Sequence, residues 1–162
     1  MRAELEQVYR QHRQALFSLA LTITRCAGLA EDAVHEAFVR LCGRQERPSG
    51  RLDAYVFAAV RNAAVDCCRR VKREQSVAEA LFADAPILNT PIVDAAKDEL
   101  AERLQREIEL LDDGTQEIIV MKIFGQLTFD EIGSVLNTPA ATVATRYRRT
   151  LITLEERLRR TP

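Results

Sequence analysis

The residues best suited to chemistry in this chain are arginines and small polar groups, and the chemistry they suit is contact with nucleic acid. Near the C-terminal end stand Ala141, Ala144, Thr145, Arg146, Arg148 and Arg149. At helical spacing Arg146 and Arg149 flank an apolar stripe, where they can reach phosphates; such contacts supply affinity and position a protein without reading sequence. Ala141, Ala144, Thr145 and Arg148 fall opposite the expected core. Short side chains there permit close approach to base edges, and Arg148 can make a bidentate contact to guanine.

A second cluster has a different character. Arg61, Asn62, Asp66, Arg69 and Arg70 occupy the polar positions of one apolar-periodic segment, with Lys72 and Arg73 just beyond. An asparagine among arginines, beside the polar loop 44–50, suits the edge of an exposed base, as in proteins that bind separated strands. Tyr55 and Phe57 are the local candidates for stacking. Equally, Asn62 can bond a neighbouring backbone and Asp66 can pair with Arg69 or Arg70. A third segment, residues 30–41, is acidic on one side and apolar on the other. Glu31 and Asp32 suit a helix start electrostatically, and the same face would serve as a docking surface for a basic or helical partner.

Catalytic constellations are missing from the sequence. It has no Gly-rich phosphate loop, no His/Glu zinc motif and no nucleophile, base and orienter set. The Asp112-Asp113 pair sits at a helix start, where capping accounts for it. Cys26, Cys42, Cys67 and Cys68 lack metal-type spacing and read as reduced thiols in or near helix cores. The expectation is a protein that is not an enzyme and needs no cofactor or metal.

The elements that must position these residues read as helices almost throughout. Leu5, Val8, Tyr9, His12, Leu16, Leu19 and Ile23 share one face of a first helix, which breaks at Cys26-Ala-Gly28. Ala33, Val34, Ala37, Phe38 and Leu41 mark a second, ending near Gly43. Leu52, Tyr55, Val56, Ala59, Val60, Ala63 and Cys67 mark a third, which runs into Arg73. Residues 74–93, punctuated by Pro86, Asn89, Thr90 and Pro91, read as a linker, with Val77 to Phe82 able to form a turn or two of helix. Regularity returns at Asp94, with Leu100, Leu104, Ile108 and Leu111 on one face, and a further helix spans about Thr115 to Phe124. Then Thr128 with Glu131 forms a capping box, Asn137 suits a left-handed stop, and Thr138-Pro139 starts the last helix. That helix turns Val143, Tyr147, Leu151, Leu154 and Leu158 inward. Two short helices joined by a tight turn make a helix-turn-helix, whose second helix enters the major groove. The expected fold is all-α: two small helical domains, 1–73 and 94–162, joined by the linker 74–93, the C-terminal one a helix-turn-helix.

Charge agrees with two separate DNA surfaces. The net charge of −1 conceals a division. Residues 1–73 carry 13 Lys/Arg and 8 Asp/Glu, a balance of +5; residues 74–138 carry 4 and 14, or −10; residues 139–162 carry 6 and 2, or +4. Basic segments bracket an acidic middle. No apolar run approaches the roughly 18 residues that would span a bilayer, and the charged N-terminus lacks a signal peptide's apolar core. A cytoplasmic protein without membrane insertion is expected.

Taken together, these segments resemble the sigma factors of bacterial RNA polymerase, specifically the extracytoplasmic-function group of the sigma-70 family. Ala30-Glu-Asp-Ala-Val-His-Glu-Ala-Phe-Val-Arg-Leu41 resembles the family's A-E-D-L-V-Q-E-x-F-x-R-x segment, which docks on the clamp helices of the polymerase. Ala54-Tyr-Val-Phe-Ala-Ala-Val-Arg-Asn-Ala-Ala-Val-Asp66 resembles A-W-L-Y-R-I-A-R-N-x-A-x-D, the helix that melts and reads the −10 element. Leu127-Thr-Phe-Asp-Glu-Ile-Gly-Ser-Val-Leu-Asn137 and Thr142-Val-Ala-Thr-Arg146 resemble the −35-reading helix-turn-helix. The resemblance implies that Glu31, Asp32, His35, Glu36 and Phe38 bind core RNA polymerase. It implies that Asn62 and the loop holding Arg47, Ser49 and Arg51 capture a flipped −10 base, with Arg69 and Arg70 alongside. It places Ala141, Ala144, Thr145 and Arg148 at −35 base edges, and Arg146 and Arg149 on phosphates. Promoter DNA, core polymerase and an anti-sigma factor are the implied partners. Departures are Tyr55 for the usual Trp, Ala58 and Ala144 at positions often basic, and His35 for the usual Gln. The alternative from the residues alone is a free-standing helix-turn-helix regulator that acts without polymerase.

Overall fold

The computed structural model describes residues 1–78 and 99–160, with only the backbone for 76–78. The chain divides into two compact units, Met1–Thr90 and Pro91–Pro162. The described residues contain helices and turns and no strand.

The first unit is built from α1 (Arg2–Thr24), α2 (Ala27–Cys42) and α3 (Leu52–Ala78), each packed on the other two. The sequence periodicity supplies the buried faces: Leu5, Leu16 and Leu19 from α1, Ala30, Ala33 and Ala37 from α2, and Val56, Phe57 and Val60 from α3. Alanines on α2 let the helices approach closely. The α1–α2 break falls earlier than expected. Arg25 takes the left-handed conformation (φ 57°) and its N–H bonds Leu21 O, while Thr24 Oγ1 accepts from Cys26 N, so Gly28 lies inside α2. The third helix passes the expected boundary at residue 73 and continues to Ala78. Residues 79–93 of the expected linker, with most of the 77–82 helical turn, and 94–98 of the next helix lie outside the described residues.

The second unit comprises α4 (Glu99–Glu109), α5 (Asp113–Ile119), a π-helical turn (Val120–Phe124), α6 (Phe129–Leu136) and α7 (Ala140–Arg160). Its core is Ile108, Ile118, Ile119, Met121, Leu127, Ile132, Val143 and Leu154. The expected helix from Thr115 to Phe124 starts two residues earlier, because the Asp112 carboxylate accepts from Thr115 N at 3.0 Å. It then widens. Gly125 N–H reaches Val120 O and Leu127 N–H reaches Met121 O, which delivers Leu127 fully buried beneath α6. Gln116, also buried, is satisfied by donating to the carbonyls of Glu109 and Leu111 at the α4–α5 corner.

On α7, Leu151 is 39% exposed and Thr150 is buried in its place. A helix turns once in about 3.6 residues, so two four-residue steps in succession, 143 to 147 to 151, walk off the stripe. A four-residue step followed by a three-residue one, 143 to 147 to 150, returns to it. Thr150 tolerates burial because its hydroxyl donates to Arg146 O at 2.8 Å. Leu100, expected on the inner face of α4, is 55% exposed.

Candidate nucleic-acid and polymerase interfaces

The helix-turn-helix is fixed at three points. Thr128 Oγ1 accepts from Glu131 N at 3.2 Å and Glu131 Oε2 accepts from Thr128 N at 2.8 Å, which closes the capping box. Asn137 turns the chain with φ 51°. At Gly133 a Cβ would lie 2.6 Å from Thr138 O and 3.3 Å from Ala140 N, so only glycine lets α6 meet the start of α7 this closely. Pro139 supplies the carbonyl that accepts from Thr142 and Val143. It therefore sits at the N-cap, one position ahead of the first helical residue, Ala140, rather than inside the helix.

That geometry leaves two parallel exposed stripes on α7, each at i, i+4, i+7 spacing: Ala141, Thr145 and Arg148, and Thr142, Arg146 and Arg149. Ala144 is a correction. It is buried, only 8% exposed, on the side of Val143, and cannot approach a base edge. The three arginines differ. Arg146 lies beside the α5 N-cap: its guanidinium passes 4.0 Å from the Cβ position of Gly114. The Arg148 guanidinium lies over the Phe129 ring, 5.9 Å from the centroid. Arg149 has neither a carboxylate nor a ring partner among the described residues.

The Asp112 carboxyl is held below the usual carboxylate range, chiefly by the hydrogen bond from Thr115 Oγ1 and to a lesser degree by the Arg146 charge. A depressed pKa contributes stability that is present above the unfolded value and is lost as pH falls through the folded one. Asp112→Ala is therefore expected to cost about 1 kcal/mol at neutral pH. The gap from wild type should close in acid, which melts of both proteins across pH would show.

In the first unit the loop between α2 and α3 is tethered by its own arginines. Arg47 pairs with Glu4 of α1 at 3.3 Å, Arg51 with Asp53 at 2.7 Å, and Arg44 donates to the Tyr55 hydroxyl. Ser49 is exposed between them. Asn62 is exposed and its side chain makes no hydrogen bond among the described residues, so the backbone-bonded alternative is not realised. Asp66 faces Arg40 at 3.9 Å rather than Arg69 or Arg70. Arg69 is exposed; Arg70 is engaged with Glu36 at 3.0 Å and the Cys67 sulfur at 3.2 Å. Phe57 is a second correction: it is wholly buried, edge-on to His12, and unavailable for stacking on a base. Tyr55 is half-exposed. His12, itself buried, leaves Nε2 without a hydrogen bond, with Asp53 at 3.9 Å.

The docking segment splits into two rows. Glu31, His35 and Phe38 line a groove between α1 and α2, where Phe38 meets Tyr9 edge-on at 5.2 Å. Asp32 and Glu36 lie farther round, and Glu36 is bridged to Arg40 and Arg70. Between the rows stands Val39, 57% exposed, which sequence reasoning missed. An apolar residue at a position facing away from Ala30, Ala33 and Ala37 was the available signal. The contacts of Arg44 with Tyr55 and of Lys122 and Arg148 with Phe129 were not legible in the sequence either, since they cross between elements. Cys26 and Cys42 are exposed rather than near a core, whereas Cys67 is buried. Burial, then the adjoining Cys67, push the Cys68 thiol up. Among the described residues no group of three His, Cys, Asp or Glu could hold a metal, and no helix is long and apolar enough to cross a membrane.

Comparison with known proteins agrees with this division. Residues 8–74 match the model of sigma-70 region 2, and residues 101–154 match that of sigma-70 region 4. Among curated relatives, the ECF RNA polymerase sigma factor SigW of Bacillus subtilis is 29% identical, covering 80% of this chain and 75% of its own. SigM of the same species is 22% identical, covering 85% and 84%. The fold is similar to that of the sigma factor RpoE of Bartonella quintana, solved with the anti-sigma factor NepR. The TM-score is 0.72 at 17% identity, over 98% of this chain and 99% of that one. Two region models of one family, in order on the two structural units and joined by relatives that span both, show that the chain belongs to the extracytoplasmic-function group of the sigma-70 family.

Proposed function

We propose that this sigma factor divides promoter recognition between its units at the named residues. Sigma factors bind core RNA polymerase and direct it to promoters. In this chain Ala141, Thr145 and Arg148 meet the −35 base edges, and Arg146 and Arg149 its phosphates. Asn62, with Arg47, Ser49, Arg51, Arg69 and Arg70, takes the separated −10 strand. Glu31, Asp32, His35, Glu36 and Phe38 dock on polymerase. The observation that carries this reading is the exposed Ala141–Thr145–Arg148 stripe, whose arginine donors are uncommitted to any acceptor among the described residues. A free-standing regulator has no such support, because the region 2 match, residues 8–74, takes in most of the three-helix unit. The protein acts in the cytoplasm, carries no catalytic chemistry of its own, uses no cofactor, and is held inactive by an anti-sigma factor, as its structural relative RpoE was solved with one.

Run-off transcription with cognate core polymerase over a promoter library tests the assignment. Arg148→Ala should relax preference at one −35 base pair by about tenfold. Arg149→Ala should lower transcription evenly across sequences and flatten its salt dependence. An even loss from Arg148→Ala would make Arg148 a phosphate contact instead.

A further inference from the structure

We propose that Phe129 is a positioning residue for sequence readout: its ring seats the Arg148 guanidinium in the pose that addresses a base pair, so Phe129 sets specificity without touching DNA. The proposal rests on Arg148 being a base contact. It begins from what holds Arg148. The guanidinium carbon lies 5.9 Å from the Phe129 centroid, within cation–π range. No acceptor among the described residues takes any of its N–H groups.

A carboxylate partner would orient an arginine but consume the donors that must read guanine. A ring face orients it and leaves the five in-plane donors directed outward. Arg148 shares its exposed stripe with Ala141 and Thr145, whose short side chains open the approach beside it. Arg146, drawn toward Asp112, and Arg149, stacked on nothing, lack this combination.

The platform is itself immobilised. Phe129 is the first residue of α6, directly behind the Thr128 capping box, so its backbone is fixed. Its ring meets Tyr147 of α7 at 5.5 Å and 59°. Lys122 Nζ lies 4.4 Å from the same centroid while donating to Leu127 O at 3.2 Å, which ties the π-helical turn to the platform. Tyr147 of α7 and Lys122 of the π-helical turn therefore converge with Arg148 on one half-buried ring at the start of α6. Pre-ordering a long side chain in its bound pose sharpens discrimination, because a wrong base pair then cannot be met by a different rotamer.

The test uses holoenzyme reconstituted from the full chain and core polymerase, on promoters substituted singly through the −35 element, with each variant's melting curve alongside. Phe129→Leu keeps an apolar, somewhat smaller side chain and the cap, but removes the π face. It should reduce preference by about two- to fivefold at the pair that Arg148→Ala affects, with little change elsewhere. The double variant should lose no more than Arg148→Ala alone. Phe129→Tyr, which restores the face, should restore the preference. An even loss at all sequences from Phe129→Leu, with the pair preference intact, would overturn the proposal and leave Phe129 a packing residue. Preservation of preference in Phe129→Leu while Arg148→Ala abolishes it would do the same and leave the Arg148 reading standing. If Arg148→Ala relaxes no pair, the base contact itself falls and the positioning role falls with it.

Discussion

Gly133→Val is expected to unfold the C-terminal unit under conditions where the wild type is folded. The first added atom already lies 2.6 Å from a backbone oxygen, Thr138 O, and 3.3 Å from the backbone nitrogen of Ala140. Neither neighbour can rotate away, since both belong to the turn that Asn137 and Pro139 define. Overpacking of this kind costs about 1–3 kcal/mol when side chains can yield, and backbone against backbone places this site at about 3 kcal/mol or more. A unit of this size has on the order of 3–9 kcal/mol in all at the usual per-residue average. Urea unfolding followed by circular dichroism should show the C-terminal transition moving to much lower denaturant, with −35-dependent transcription lost. Gly133→Ala separates causes. On helix propensity alone it would stabilise by up to about 1 kcal/mol, so a loss shows the close approach. Gly28→Ala, in α2 with nothing within 4 Å of the new Cβ, is the control and should be neutral or slightly stabilising. Equal behaviour at the two glycines would refute the account.

Phe57→Ala should be comparably severe in the first unit. The ring is wholly buried at the centre of the three-helix packing, against His12 at 5.6 Å. Truncation removes the transfer energy of the ring and leaves a cavity, together about 3–5 kcal/mol. Tyr55→Ala, two residues earlier and half-exposed beside Arg44, should cost well under half of that and act on strand opening instead. Thermal melts and permanganate footprinting of the −10 region distinguish the two. A Phe57→Ala protein that melts like wild type yet fails to open the promoter would return Phe57 to the DNA surface.

The contrast between Tyr55 and Phe57 shows where sequence reading reached its limit. Their segment was legible as a helix, and its apolar periodicity named Val56, Val60, Ala63 and Cys67 correctly as inward. Which aromatic faced the core was a matter of a modest rotation of the helix about its axis, decided by α1 and α2 together. On α7 the error was one of spacing: Leu151 stands one step past the stripe that Thr150 occupies, and Ala144 lies on the buried side beside Val143. Local signals fared better. The Thr128–Glu131 box and the Asn137 stop depend on residues close by in the chain, and both formed as expected.

By itself, the sequence determined what short-range chemistry can encode. That includes the helices, the caps at Asp112, Thr128 and Asn137, the charge division between basic ends and acidic middle, and three family motifs in order. Tertiary structure decided which arginines are committed and which are free. Arg70 of α3 pairs with Glu36 of α2, and Arg47 of the loop pairs with Glu4 at the start of α1. Arg148 of α7 lies over a ring carried by α6. Such partnerships depend on how helices cross, and helix crossing is set by small residues and close approaches such as Gly133, whose consequences appear only once the second helix is in place.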